Sequence, residues 1–234
     1  MSVEQSARLK KYFKVHSVAI ASVVPFDKQS DKLFSFDLTA SNEFLNPTIL
    51  GDTEAFSKWV RQHLEKENCR YGIGGYNEHR TIYSRSDLFD ADEEPRRLHL
   101  GVDIWGPVGT PIFSPLDGTI HSFRFNDNFG DYGATLILEH EVDRLKFHTL
   151  YGHLSLASIA DLVQGTSVRS GEKIAEFGDV LENGHWPPHL HFQIIFDMQN
   201  MEGDYPGVSR YSERETFLGN CPDPDILLKH TFRY

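Results

Sequence analysis

The chain has 234 residues, enough to bury a proper core as one domain or as one domain plus an extension. Its formal net charge of −11 argues against general nucleic-acid binding, which needs a basic footprint, and against attraction to an anionic membrane surface. Two cysteines, Cys69 and Cys221, lie far apart without metal-site spacing; such sparse usage fits free thiols in a reducing compartment.

Along the chain, the region to about residue 68 holds two strand-like runs, Val15–Val24 and Leu33–Ala40. The apolar stretch Val18 to Phe26 follows Lys10, Lys11 and Lys14, as in a signal peptide. It is short, is interrupted by Pro25 and lacks a cleavage site, so a strand and a cytoplasmic protein are expected, with no membrane insertion. A helix opens at Asp52 or Thr53, either of which can cap it, and runs to about Asn68. Phe56, Trp59, Val60 and Leu64 give it an apolar stripe at helical spacing. The glycine-rich link that follows, Tyr71 to Arg80, lacks the Gly-Lys-Ser/Thr of a phosphate loop. Asp87 through Glu94 reads as an acidic solvated loop. Arg80 and Tyr76 are candidate groove-lining residues, Arg80 as a substrate contact.

From residue 96 onward short β-prone runs alternate with Gly, Pro, Asn and Asp turns: 111–115, 119–125, 134–140, 146–151, 173–177 and 189–195. That pattern predicts a mainly β, antiparallel sandwich- or barrel-like domain over 96–234, preceded by a small α+β extension and linker over 1–95. Ser155–Leu162 reads as a short helix or turn, and the Pro- and Gly-rich tail from Asp204 as ordered loop. Two motifs stand out, His99-Leu-Gly-Val-Asp103 and His189-Leu-His191. In a strand of period two, His99 and Asp103 share one face opposite Leu98, Leu100, Val102 and Ile104. His189, His191 and Gln193 share a face opposite Leu190, Phe192 and Ile194. Together the motifs offer two imidazoles and a carboxylate as ligands, with a spare imidazole, a set that suits a catalytic zinc with one open position. Gly101 would leave room for a metal or a substrate backbone. In Phe147-His-Thr-Leu-Tyr-Gly-His-Leu154, alternation sends His148 and His153 to opposite faces, and His153 is taken as the one that reaches the site. His185, just before the second motif, is a candidate to line the cleft.

These residues resemble the lysostaphin/LytM-type zinc metalloendopeptidases (duplicated hybrid motif), which cut peptide crosslinks of bacterial cell walls. The likeness runs from about His99 to Ile195. It is carried by His99-x-x-x-Asp103 with its trailing Ile-Trp-Gly-Pro-Val-Gly-Thr-Pro, by Ser114-Pro-Leu-Asp-Gly118, by Leu150-Tyr-Gly-His-Leu154 and by Pro188-His-Leu-His-Phe192. It implies that His99, Asp103 and His191 bind one zinc ion and that His153 and His189 are the catalytic, non-ligand histidines. In place of the short Gly/Thr turn usual before the second motif stands Asn183-Gly-His-Trp-Pro-Pro188. The chain also lacks an export signal and wall-targeting repeats, like a subgroup in which such a domain is fused to intracellular enzymes.

The resemblance implies metal-assisted hydrolysis of peptide bonds, most of all in peptidoglycan crosslink peptides. Zinc would activate a water, with His189 or His153 as its base and Tyr151 a weaker candidate to stabilise the oxyanion. In some relatives an upstream segment blocks the cleft, a role Asn77, Glu78 or His79 could take. The other readings are a cytoplasmic zinc hydrolase with a non-wall substrate and a non-catalytic module on the same scaffold.

Overall fold

The structure, a computed structural model, describes residues 2–16, 20–90 and 93–232. It opens with a helix, α1 (Ser2–Val15), which buries Leu9 and Phe13 against the main core. A strand was expected over 15–24. Residues 17–19 lie outside the described residues, and residues 20–24 are not a strand. They run beside residues 113–115 through Ala21 N–H to the Pro115 carbonyl and Phe113 N–H to the Val23 carbonyl, at 2.9 and 2.8 Å. Leu9, Tyr12 and Phe13 fall at helical spacing, so burial of that stripe decides for helix.

The expected strand over 33–40 is shorter, β1 (Leu33–Phe36). A one-turn helix, α2 (Pro47–Leu50), precedes α3 (Thr53–Lys66). Asp52 caps α3 by accepting from Glu54 N–H and Ala55 N–H, an interaction worth about 1 kcal/mol. Phe56, Val60 and Leu64 are its buried stripe. Next come β2 (Tyr71–Gly74) and α4 (Asp87–Asp90), the latter where an acidic loop was expected.

Ten further strands follow: β3 (Leu98–His99), β4 (Val102–Trp105), β5 (Pro111–Phe113), β6 (Gly118–Asn126), β7 (Gly133–Val142), β8 (Leu145–Leu154), β9 (Ser167–Val168), β10 (Lys173–Glu176), β11 (His189–Ile195) and β12 (Val208–Ser209). A turn of 3₁₀ helix, Leu156–Ser158, occupies the expected helix or turn after β8. Besides β12 and loop, the tail carries a 3₁₀ turn, Tyr211–Glu213, and two short α-helices, α5 (Arg214–Asn220) and α6 (Asp225–Leu228).

Eight strands form one sheet in the order β1-β2-β4-β11-β8-β7-β6-β9. Only β1 and β2 pair in parallel; every other pairing in the sheet is antiparallel. The fold is thus mainly β, as the turn spacing implies. The boundary drawn at 95/96 falls between strands of this one sheet, because β1 and β2 extend it past β4. One face packs Val102, Ile104, Tyr151 and Phe192 with α1 and α6; the other carries Leu100, Tyr132, Ile137 and Leu150.

His140 is buried on β7, with Nδ1 against the Asp117 carbonyl at 2.9 Å and Nε2 against Thr149 Oγ1 at 2.7 Å. Burial lowers its pKa to about 4. The folded chain therefore holds it neutral where the unfolded chain begins to protonate. Its contribution is fully present above about pH 6.5 and is lost as pH falls toward 4, on the order of 3 kcal/mol in all. In chelator, urea unfolding between pH 7 and 4 is expected to lose less stability in His140→Gln than in the native chain. Equal losses would contradict a buried neutral imidazole.

Candidate metal centre

Register brings the donors together. On the antiparallel β4–β11 pair Asp103 lies opposite His191, so the two side chains leave the sheet on one face. His99, at the end of β3, closes the set, and the donor atoms of all three lie within 4.8 Å of one another. His99 Nε2 stands 3.0 Å from His191 Nδ1 and 3.3 Å from Asp103 Oδ1, and His191 Nδ1 is 3.1 Å from the same oxygen.

The far side of each donor is occupied. His99 donates Nδ1–H to the Gly75 carbonyl at 2.8 Å. His191 donates Nε2–H to Gln193 Oε1 at 2.8 Å, and the Gln193 amide is fixed by donating to the Pro206 carbonyl and to Cys221 Sγ. Arg80 Nη1 donates to Asp103 Oδ2 at 2.5 Å. In the tautomers that these outward bonds require, the ring proton of each sits on the outer nitrogen. Two nitrogen lone pairs and a carboxylate oxygen therefore converge with no proton between them, an arrangement that repels itself unless a cation sits at its centre. A two-imidazole, one-carboxylate set with outward hydrogen bonds fits zinc. Burial alone would raise the Asp103 carboxyl, but its charged surroundings, with the Arg80 guanidinium against Oδ2, hold it well below the usual carboxylate range.

Two more imidazoles adjoin the donors. His153 and His189 lie with ring centroids 4.1 Å apart, and His189 stacks on Trp105 at 3.9 Å. His153 donates Nδ1–H to the Asn183 carbonyl at 2.8 Å, and His189 donates Nδ1–H to the Pro187 carbonyl at 2.7 Å. Both keep an Nε2 lone pair; that of His189 is 4.0 Å from Asp103 Oδ1. Burial lowers the His189 pKa to about 4, and burial with the adjacent His189 and His191 rings holds His153 well below the usual imidazole range. His153 has φ +65°, uncommon for a residue with a Cβ. The cause is a bulge: Ala134 and Leu136 of β7 face Leu154 and Tyr151 of β8, so β8 carries an extra residue there.

That bulge corrects two expectations. Without it His153 would follow Tyr151 to the core face, whereas His148, opposite Ile195, already shares the face of His191 and Gln193. His148 and His153 are therefore not separated by face; distance along β8 separates them, and His148 lies against His121 and Glu139 instead. Tyr151 faces away from the donors, packed on Phe192 with its hydroxyl 3.0 Å from Thr149 Oγ1, so it cannot serve an oxyanion at this centre.

The donors open onto a cleft of about 220 Å³ lined by Tyr83, Trp105, Tyr132, Trp186, Met201 and Pro206 among others. The five central residues, His99, Asp103, His153, His189 and His191, are each at most 6% exposed. Arg80 is fully buried behind Asp103 rather than in the groove as a substrate contact. Tyr76 is turned away, its hydroxyl donating to the Cys221 carbonyl. His185 stacks on Phe129 outside the cleft lining. Glu78 pairs with Arg80, and Asn77 and His79 are engaged through backbone contacts with His99 and Leu98. Tyr132 was missed: its hydroxyl is 3.5 Å from His191 Nε2, and it precedes β7 in a loop without periodicity. Trp105 was missed although it lies two residues beyond Asp103 on β4 and shares its face by the period used for the ligands.

Gly101 makes room for a ligand rather than for metal or substrate: a Cβ there would lie 2.6 Å from the His191 ring and 2.8 Å from the Phe192 carbonyl. Gly101→Ala is expected to displace His191, cost about 1–3 kcal/mol of stability and weaken zinc binding. Zinc titration and melting of the variant check this; native affinity would contradict the contact.

Residues 97–202 match the model of Peptidase family M23. A DD-carboxypeptidase/endopeptidase Mpg of Neisseria meningitidis serogroup B is 36% identical over 131 residues, covering 54% of this chain and 28% of that protein. An uncharacterized metalloprotease of Haemophilus influenzae is 30% identical over 140 residues, covering 57% of this chain and 27% of that one. Among solved structures, a zinc-containing peptidase from Vibrio cholerae is 31% identical, covers 42% of this chain and 27% of its own, and superposes with a TM-score of 0.34. The chain thus spans less than a third of the length of these relatives. His99, Asp103, His153, His189 and His191 all fall inside the segment that matches Peptidase family M23.

Proposed function

We propose that this chain is a zinc-dependent metalloendopeptidase that hydrolyses peptide bonds of peptidoglycan crosslinks, using one zinc ion. The observation that carries the reading is the convergence of His99 Nε2, Asp103 Oδ1 and His191 Nδ1 beside two further imidazoles in a cleft. A Vibrio cholerae relative, 29% identical over 137 residues, is named as a peptidoglycan DD-endopeptidase, which supports a peptidoglycan peptide as substrate.

Zinc, when bound, lowers the pKa of a water toward neutrality and polarises the scissile carbonyl. The protein supplies the proton acceptors. His153 and His189 are neutral at pH 7, with Nδ1–H held by backbone carbonyls and Nε2 left as an acceptor. His189 Nε2 lies 4.0 Å from Asp103 Oδ1, so His189 takes the proton of the attacking water, and Trp105 stacked on its ring fixes its plane. The proton taken up at His189 Nε2 is then the one available to the leaving amine, and the Nε2 lone pair of His153 is a second acceptor beside it. The Tyr132 hydroxyl, kept protonated because burial raises its pKa, is a further donor in the cleft. Tyr83, Trp105 and Trp186 shield the site from bulk water.

His189→Ala is expected to lower release of crosslink peptides from purified sacculi by about 10²–10⁴-fold while zinc content stays at one per chain. Mass spectrometry of the products and metal analysis check both parts. A zinc-replete native chain that releases nothing from sacculi or crosslink peptides would overturn the substrate reading.

A further inference from the structure

Arg80 lies upstream of the matched segment, yet its side chain ends in the metal centre. It is fully buried. Nη1 donates to Asp103 Oδ2 at 2.5 Å and meets the Tyr83 hydroxyl at 3.3 Å; Nε donates to Glu78 Oε2 at 2.7 Å. Nη2 donates to the Gly75 carbonyl at 3.1 Å, the same oxygen that accepts Nδ1–H of His99. One loop carbonyl therefore orients a ligand imidazole and the guanidinium that holds the ligand carboxylate. The space is built for it: a Cβ on Gly74 would stand 2.6 Å from Arg80 Nη2. Its backbone is anchored as well, Arg80 N–H donating to the Arg97 carbonyl at 2.9 Å.

The chemical consequence concerns Asp103. A free carboxylate can offer a metal one oxygen or two. Here Oδ2 is filled by a charge-assisted hydrogen bond and only Oδ1 faces the imidazoles. Glu78 supplies a second carboxylate to the guanidinium, so the buried cation is compensated without Asp103 having to leave the donor set.

We propose that Arg80 is a positioning residue of the metal centre, restricting Asp103 to single-oxygen coordination, and that the loop from Gly75 to Arg80 is a structural part of that centre rather than a removable cover. This rests on the metal-site reading but not on the substrate. Two effects oppose each other in metal affinity. Loss of the guanidinium frees the carboxylate to turn, which weakens a preorganised site, typically by 10–100-fold, while removal of a nearby positive charge strengthens attraction for the metal. Coordination geometry separates them. The full-length chain is loaded with Co(II), whose visible absorption is intense in four-coordinate sites and weaker when a fifth donor atom enters.

Arg80→Met, checked for native near-UV circular dichroism, is expected to give a weaker, shifted cobalt spectrum. Glu78→Gln, which loosens Arg80 from a partly exposed position, is expected to move it in the same direction by less. A folded Arg80→Met with a spectrum superimposable on the native one overturns the proposal. Should that variant not fold, Glu78→Gln decides alone, an unchanged spectrum overturning the proposal. A native chain that takes up no cobalt contradicts the metal centre itself and not merely the role of Arg80.

Discussion

Three lone pairs aimed at one point are the constraint on which this structure depends. His99 Nε2, His191 Nδ1 and Asp103 Oδ1 approach within 3.0 to 3.3 Å, and no hydrogen bond among neutral rings and a carboxylate can relieve all three contacts. Such an arrangement persists only if the surroundings over-determine it. They do so from the outside: Gly75 holds His99, Arg80 holds Asp103, and Gln193 holds His191. These partners come from before and within the matched segment, and Gln193 is in turn pinned by Pro206 and Cys221 of the tail. The centre is thus assembled from most of the chain's length, although its ligands sit on only two motifs.

The sheet supplies precision and the glycines supply proximity. Cross-strand register between β4 and β11 fixes Asp103 against His191, and the pairing of β11 with β8 brings Gly152 opposite His191. Absence of a side chain at Gly101 and at Gly207, where a Cβ would fall 2.0 Å from the Tyr132 hydroxyl, lets rings occupy the space beside the ligands. Strain is concentrated at His153, where the β8 bulge redirects a side chain from the core face to the site. Left-handed backbone of this kind costs on the order of 1–3 kcal/mol and recurs at functional positions.

Much of this was legible in the residues. The six strand runs expected from residue 111 to residue 195 correspond to β5, β6, β7, β8, β10 and β11, because alternation and turn residues are local signals. The three donors follow from two motifs plus a resemblance, and the structure brings them together. Helix α1 was not expected, because Lys10, Lys11 and Lys14 were weighed only as flanks of the apolar run after them and not with the stripe of Leu9, Tyr12 and Phe13. Arg80 and Tyr151 were misassigned for a different reason. Nothing local distinguishes an arginine behind a carboxylate from one in a groove, and a one-residue bulge reverses every face assignment beyond it. Tyr132, set on a loop, has no periodic signal to find.

The most direct measurement is the zinc stoichiometry of the chain prepared without chelator, set beside Asp103→Ala and His191→Ala. One zinc per native chain, with loss of tight binding in both variants, is the expected result. A native chain that carries no zinc and gains none on titration would contradict the account at its centre, because the three converging donors would then have no cation to share.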